Sequence, residues 1–168
     1  KKGVKLLSNT VGPYFNQAKQ FVVRKVDDVW SWGKNLFNGP IKDQLWNRLD
    51  NANVMSWSKK SADEVNSAYK KAPYAKGTDV IEFTSGGSES FVRVYTQGTT
   101  SAASSWMMKA EDMSGLSPAQ IKDRFALPYM PDMITDVNVP AGTKIRFGEA
   151  AKVDGWGGGG GAQFELLE

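Results

Sequence analysis

The spacing of apolar and polar positions changes character near the middle of the chain. From Tyr14 to about Phe37, apolar residues recur at Phe15, Ala18, Val22, Val26, Val29, Trp30 and Phe37. Most gaps are three or four, which puts these side chains on one face of an α-helix. Pro13 suits the first turn of that helix, and Asn38-Gly39-Pro40 stops it. A second helix is predicted with Ile41, Leu45, Trp46 and Leu49 on one face, followed by a polar break from Asn51 to Trp57. Ser61-Ala62-Asp63-Glu64 reads as a capping box and predicts a helix to about Lys71. Pro73 and Gly77 end the helical half.

From Thr78 onward the period drops to two. Asp79 to Phe83 and Phe91 to Tyr95 read as strands, and Ser85-Gly86-Gly87-Ser88 between them reads as a hairpin loop. Ser104 to Lys109 is a weaker strand. Ser117-Pro118-Ala119-Gln120 is a second capping box with Pro at the first helical position, opening a short helix that ends before Pro128. Two further strands, Thr135 to Val139 and Thr143 to Phe147, flank the turn Pro140-Ala141-Gly142. A glycine run, Gly157 to Gly161, leads into a closing strand from Ala162 to Leu167. The predicted fold class is α+β: a helical segment over residues 1–60, then an α+β domain over 61–168.

Charge follows the same division. Residues 1–75 hold 13 Lys/Arg against 6 Asp/Glu, and residues 76–168 hold 8 against 12. A basic leader thus precedes an acidic domain, and the basic pI belongs to the leader. Cysteine and histidine are both absent. That excludes disulfides, thiolate metal sites, Ser-His-Asp hydrolysis, His-dependent ribonucleases and zinc deaminases. No apolar run reaches the roughly 18–20 residues that span a bilayer. The chain opens on Lys1-Lys2 without Met or signal peptide, which predicts a piece of something longer.

Several residues stand out as carriers of chemistry. Arg93 shares a strand face with Phe91 and Tyr95, an arrangement suited to gripping a phosphate between rings. Ser104-Ser105-Trp106 offers hydroxyls and a stacking indole. Met107 and Met108 read as core filling. Arg124 either caps its helix by charge or meets a ligand. The glycine run lacks the Gly-Lys-Ser/Thr of a P-loop and leads into a strand rather than a helix. It is either a loose tip or an approach loop to a cleft beside Gln163 and Glu165, which share one face of the last strand.

In order along the chain, Val92-Arg93-Val94, Ser105-Trp106, Arg124-Phe125-Ala126-Leu127-Pro128, Val139-Pro140-Ala141-Gly142 and Gly159-Gly160-Gly161-Ala162-Gln163-Phe164 resemble the tuberculosis-necrotizing-toxin type of NAD glycohydrolase domain. They are also similar to the ADP-ribosyltransferase-like domains of bacterial polymorphic toxins. The resemblance spans about residues 78–168 and departs from the pattern where Val94-Tyr95 follows Arg93 and where Ala162 precedes Gln163. It implies a small, mostly antiparallel, strongly twisted sheet with short helices. It also implies cleavage of the nicotinamide–ribose bond of NAD or NADP without a metal. In that scheme Arg93, Gln163 and Glu165 are catalytic, while Tyr95, Ser105, Trp106, Arg124 and Phe125 bind the dinucleotide. The Gln163-x-Glu165 spacing looks like the transferase end of the superfamily, so hydrolysis and transfer to a macromolecular acceptor both stand. Such a toxin is secreted or delivered from a cell surface, acts in a target cell's cytoplasm, and meets a cognate immunity protein with a basic surface. The geometric expectation is that the Arg93 strand and the last strand lie side by side, bringing guanidinium and amide together.

Three other readings compete. A tRNA-cleaving ribonuclease would use Arg93, Thr143, Lys144 and Arg146, with nucleic acid as partner and possible help from a host protein, although the acidic domain argues against it. A basic amphipathic leader from Lys1 to Arg48 would disturb membranes. A plain binding module leaves the Arg and Gly-Gln pieces without a role.

Overall fold

The computed structural model describes residues 5–7, 40–49, 54–101 and 103–167. The long helix expected from Tyr14 to Phe37 lies outside the described residues. In chain order the elements are β1 (Lys5–Leu7), α1 (Ile41–Trp46), β2 (Val54–Ser61), α2 (Ala62–Asn66), β3 (Asp79–Ser85), β4 (Glu89–Tyr95) and β5 (Trp106–Met107). A 3-10 turn (Ala110–Met113), α3 (Pro118–Arg124), β6 (Met133–Val139), β7 (Lys144–Glu149) and β8 (Ala162–Leu167) complete the described chain. The fold is α+β, with every strand among the described residues pairing antiparallel.

Local sequence explains the helix starts. At α3 the Ser117 side chain accepts from the Gln120 amide, and the Gln120 side chain accepts from the Ser117 amide, with Pro118 at the first position. At α2 the Ser61 hydroxyl accepts from the Asp63 amide, but the helix stops at Asn66 rather than reaching Lys71. The Asn66 side chain bonds both the amide and the carbonyl of Tyr74. That clamp pulls residues 67–74 into a loop over the sheet.

The strands divide into two sheets, ordered β1-β6-β4 and β2-β3-β7-β8-β5. The hairpin expected around Ser85–Ser88 does not form. β3 already has β2 on one edge and β7 on the other, so β4 has no free edge to join and pairs with β6 instead. At its end β3 is tied to the turn before β7, Ser85 donating to Thr143 O at 2.9 Å and accepting from Gly142 N at 2.7 Å.

The two sheets enclose a core of Ile81, Phe83, Phe91, Val137, Ile145, Phe147, Phe164 and Leu166. Phe164 sits 4.7 Å from Phe91 and 4.8 Å from Phe147, centroid to centroid, in the tilted geometry that aromatic quadrupoles favour. The outer face of β4 and β6, carrying Val92, Val94 and Ile134, is covered by Ile121 and Phe125 from the α3 region. Tyr74, Ala62, Val65 and Val80 form a third cluster. The division expected at residue 60 falls inside β2. Leu45 of α1 is fully buried in the main core, and Arg48 donates to Asp112 at 2.8 Å. Residues 41–49 and 54–60 therefore share one packing unit with the described chain that follows. Among the described residues no helix is long and apolar enough to cross a membrane.

A buried ion pair holds β4 to the segment after β5. Lys109 and Glu89 are 1% and 2% exposed, with Nζ 3.3 Å from Glu89 Oε1. Lys109 Nζ also donates to Ser90 O at 2.8 Å and lies 4.6 Å from the Phe91 ring. Removing one partner strands the other charge in a medium that cannot solvate it. Lys109→Met is expected to lower unfolding free energy by about 3–5 kcal/mol. Adding Glu89→Leu is expected to recover most of that loss, with chemical denaturation of the single and double variants as the measurement.

Candidate active site

β5 is two residues long, yet with its neighbour Met108 it links the two sheets. Trp106 and Met107 pair with Glu165 and Phe164 of β8. Met108 exchanges both backbone hydrogen bonds with Val92 of β4, at 2.8 and 2.9 Å. The expectation that the Arg93 strand lies beside the last strand is therefore corrected, because residues 106–108 come between them. The two strands belong to different sheets, since each presents its inner aromatics, Phe91 and Phe164, to the same core.

Beside this strap lies a cavity of about 380 Å³. Arg93 and Gln163 both line it, together with Tyr95, Trp106 and Phe125. Five of the eight residues expected at the site thus line one cavity, although β4 and β8 are not neighbours. The charged side chains lining it are Lys71 and Arg93, and the described lining residues include no Asp or Glu. The wall is otherwise largely apolar and aromatic, as small-molecule sites commonly are.

Arg93 is 3% exposed and is oriented by its Nε, which donates to Trp106 O at 2.7 Å. Burial lowers its pKa to about 10, which still leaves it charged at neutral pH. The Gln163 side chain donates through Nε2 to Pro73 O at 2.6 Å. Its partner is a carbonyl, so only the amide nitrogen can make that bond. Oε1 is then the acceptor left for a ligand. The Trp106 ring lies 6.3 Å from Tyr69 and 6.0 Å from Tyr74.

Three expected site residues fall outside the lining. Ser105 is drawn into strand pairing, its carbonyl accepting from Leu166 N at 2.7 Å. The neighbouring Ser104 lines the cavity in its place. Arg124 sits at the end of α3, where burial lowers its pKa and its carbonyl accepts from Gly161 N at 2.9 Å. Glu165 points the same way as Gln163 but is buried behind the wall, bonded by Tyr69, Tyr74 and Arg146. The ribonuclease set also disperses. Thr143 donates to Pro140 O, Lys144 is exposed, and Arg146 is paired with Glu82 and Glu165, all outside the lining.

Tyr69, Tyr129 and Trp156 line the cavity and carry no sequence signal. Tyr69 falls where the pattern predicts the interior of a helix. Tyr129 lies in a proline-flanked segment beyond α3.

The glycine run is neither a loose tip nor a phosphate cradle. Gly157 donates to Val153 O, Gly158 to the Asp123 carboxylate, Gly159 to Asp123 O, Gly160 to Ala150 O and Gly161 to Arg124 O. All five amides are therefore engaged within the chain. The missing side chains permit close approach to the end of α3. A Cβ on Gly161 would stand 2.6 Å from the Phe125 ring, and one on Gly157 would stand 2.5 Å from Asp123 O. The chain leaves α3 through Ala126 at φ +48°, a left-handed conformation unfavourable for a residue with a Cβ. This tight exit, closed by Leu127 N donating to Lys122 O at 2.9 Å, sets Phe125 and Leu127 into the cavity wall.

Comparison of the chain with protein-family models, with curated proteins and with solved structures finds no match.

Two outcomes follow from this geometry. Gly157→Ala sets a methyl against rigid backbone and is expected to destabilise the fold by about 1–3 kcal/mol, read by thermal or chemical unfolding. The second outcome concerns alkaline pH. Burial, reinforced by Glu165, pushes the Tyr69 phenol up to about 12 and the buried Tyr74 phenol well above its ordinary value. In the unfolded chain both release their protons near pH 10. Above that value the unfolded state binds fewer protons than the folded state, so stability falls as pH rises, for Tyr69 between pH 10 and about 12. At neutral pH both states keep these protons and the contribution is fully present. Denaturation midpoints taken across that alkaline window are expected to fall less steeply in Tyr69→Phe than in the parent chain.

Proposed function

We propose that this chain is the toxic domain of a secreted antibacterial toxin that cleaves the nicotinamide–ribose bond of NAD in the cytoplasm of a target cell. The observation that carries this reading is the convergence of Arg93 and Gln163 on one cavity walled by Tyr95, Trp106 and Phe125. A dinucleotide presents flat rings, a dianionic pyrophosphate and ribose hydroxyls. Arg93 meets the pyrophosphate with a desolvated guanidinium. The aromatic residues pack on the rings. Gln163 Oε1 accepts from a ribose hydroxyl and turns its negative dipole end toward charge developing at the ribose.

The reaction suits a chain without His or Cys. As the C1′–N bond breaks, its electron pair moves onto the nicotinamide ring nitrogen. The base therefore leaves neutral and needs no proton. The ribose carbon becomes oxocarbenium-like and is captured by water, which loses a proton, or by a macromolecular nucleophile. Nicotinamide release is common to both outcomes. A cognate immunity protein belongs to the same proposal, with a basic surface to complement the acidic residues that predominate after residue 75.

Incubation of the purified chain with NAD is expected to release nicotinamide, measured by chromatography. Gln163→Ala is expected to lose about 100-fold of that rate while keeping a cooperative unfolding transition. Absence of release by the parent chain, or full activity in a folded Gln163→Ala variant, removes the assignment.

A further inference from the structure

The polar network behind the cavity wall has no place in the reaction above. Tyr69 lines the cavity, but its hydroxyl is engaged on the far side, donating to Glu165 Oε2 and accepting from Arg146 Nη1 at 3.0 Å. Glu165 Oε1 accepts from Tyr74 Oη at 2.9 Å and from Arg146 Nη1 at 3.0 Å. Arg146 turns Nε and Nη2 onto Glu82 Oε2, and Glu82 Oε1 lies 3.1 Å from Lys60 Nζ. Two carboxylates thus face two cations. Tyr74 is fully buried, and Asn66 fixes its backbone from both sides.

This arrangement gives Glu165 a task other than chemistry. Its carboxylate already accepts from three side chains, and its charge is matched by Arg146. The Tyr69 hydroxyl is likewise saturated, both as donor and as acceptor. What Tyr69 offers the cavity is therefore its ring, standing beside that of Trp106. We propose that Glu165 is a positioning residue that never touches the ligand, and that it acts by holding the Tyr69 ring in place as a stacking wall for a flat group of the ligand. The identity of that ligand rests on the dinucleotide reading, whereas the link between Glu165 and Tyr69 does not.

The test uses the full chain with Glu165→Gln, Tyr69→Phe, Tyr69→Ala and the double variant Glu165→Gln/Tyr69→Phe. Steady-state nicotinamide release gives KM and kcat, and ultraviolet phenolate titration follows the tyrosines. Tyr69→Ala is expected to raise KM about tenfold, with kcat within about threefold of the parent. Glu165→Gln and Tyr69→Phe are each expected to raise KM about threefold, and the double variant no further than either single one. In Glu165→Gln the phenol of Tyr69 is expected to titrate below the value of about 12 that it has in the parent. Loss of about 1,000-fold in kcat for Glu165→Gln at unchanged KM makes Glu165 catalytic and overturns the proposal. Additive effects in the double variant, or an unmoved phenol titration, also overturn it. Tyr69→Phe removes the same bond without stripping a buried charge, so it carries the kinetic test if Glu165→Gln fails to fold. If the parent chain releases no nicotinamide, the dinucleotide reading fails by itself. The phenol titration then decides the positioning link.

Discussion

The site depends on three consecutive residues bonded to both sheets. Trp106 and Met107 extend the larger sheet at β8, and Met108 closes a two-bond bridge to Val92 in the smaller one. The Trp106 carbonyl orients Arg93, and its ring forms part of the cavity wall. Met107 meanwhile fills the shared core. Without this strap the two sheets still meet through Phe91 and Phe164, but the guanidinium and the Gln163 amide have nothing to bring them to a common space. Backbone hydrogen bonds do this well because they fix direction as well as distance.

Electrostatics divide the interior into two regions. On the cavity side the lining carries cations and no carboxylate among the described residues. Behind it, Glu165 and Glu82 are matched by Arg146 and Lys60. A free carboxylate at the wall would repel an anionic ligand. Enclosed by donors, the same group holds Tyr69 and Tyr74 in place. Charge behind the wall is spent on orientation, while the charged side chains lining the cavity are cationic.

Shape is set at the end of α3. The glycine segment lies against Asp123, Arg124 and Phe125, and its amides bond to the chain at every position from Gly157 to Gly161. Ala126 turns the chain sharply in a conformation that glycine tolerates better. Glycine here permits contact between two backbones rather than contact between backbone and phosphate. The aromatic wall follows, since Phe125 can take its place only if Gly161, the residue before β8, has no side chain in its way.

Much of the fold was legible from local pattern. The α3 capping box, the strands β3, β4, β6, β7 and β8, and the alternation that puts Arg93 beside Phe91 all reflect constraints acting over a few residues. Arg93, Tyr95, Trp106 and Gln163 were readable for the same reason, whereas Phe125 stood out only through the family resemblance. An arginine or a glutamine in a strand beside aromatics is a local departure from pattern. What only the tertiary structure decided was which edge each strand would take, and on which side of the wall each polar group would fall. Sequence spacing showed that Gln163 and Glu165 share a face, but the loop from Ser67 to Tyr74 determined that one meets the cavity and the other is enclosed by tyrosines. That decision belongs to contacts between residues far apart in the chain, and hydrophobic periodicity carries no record of them.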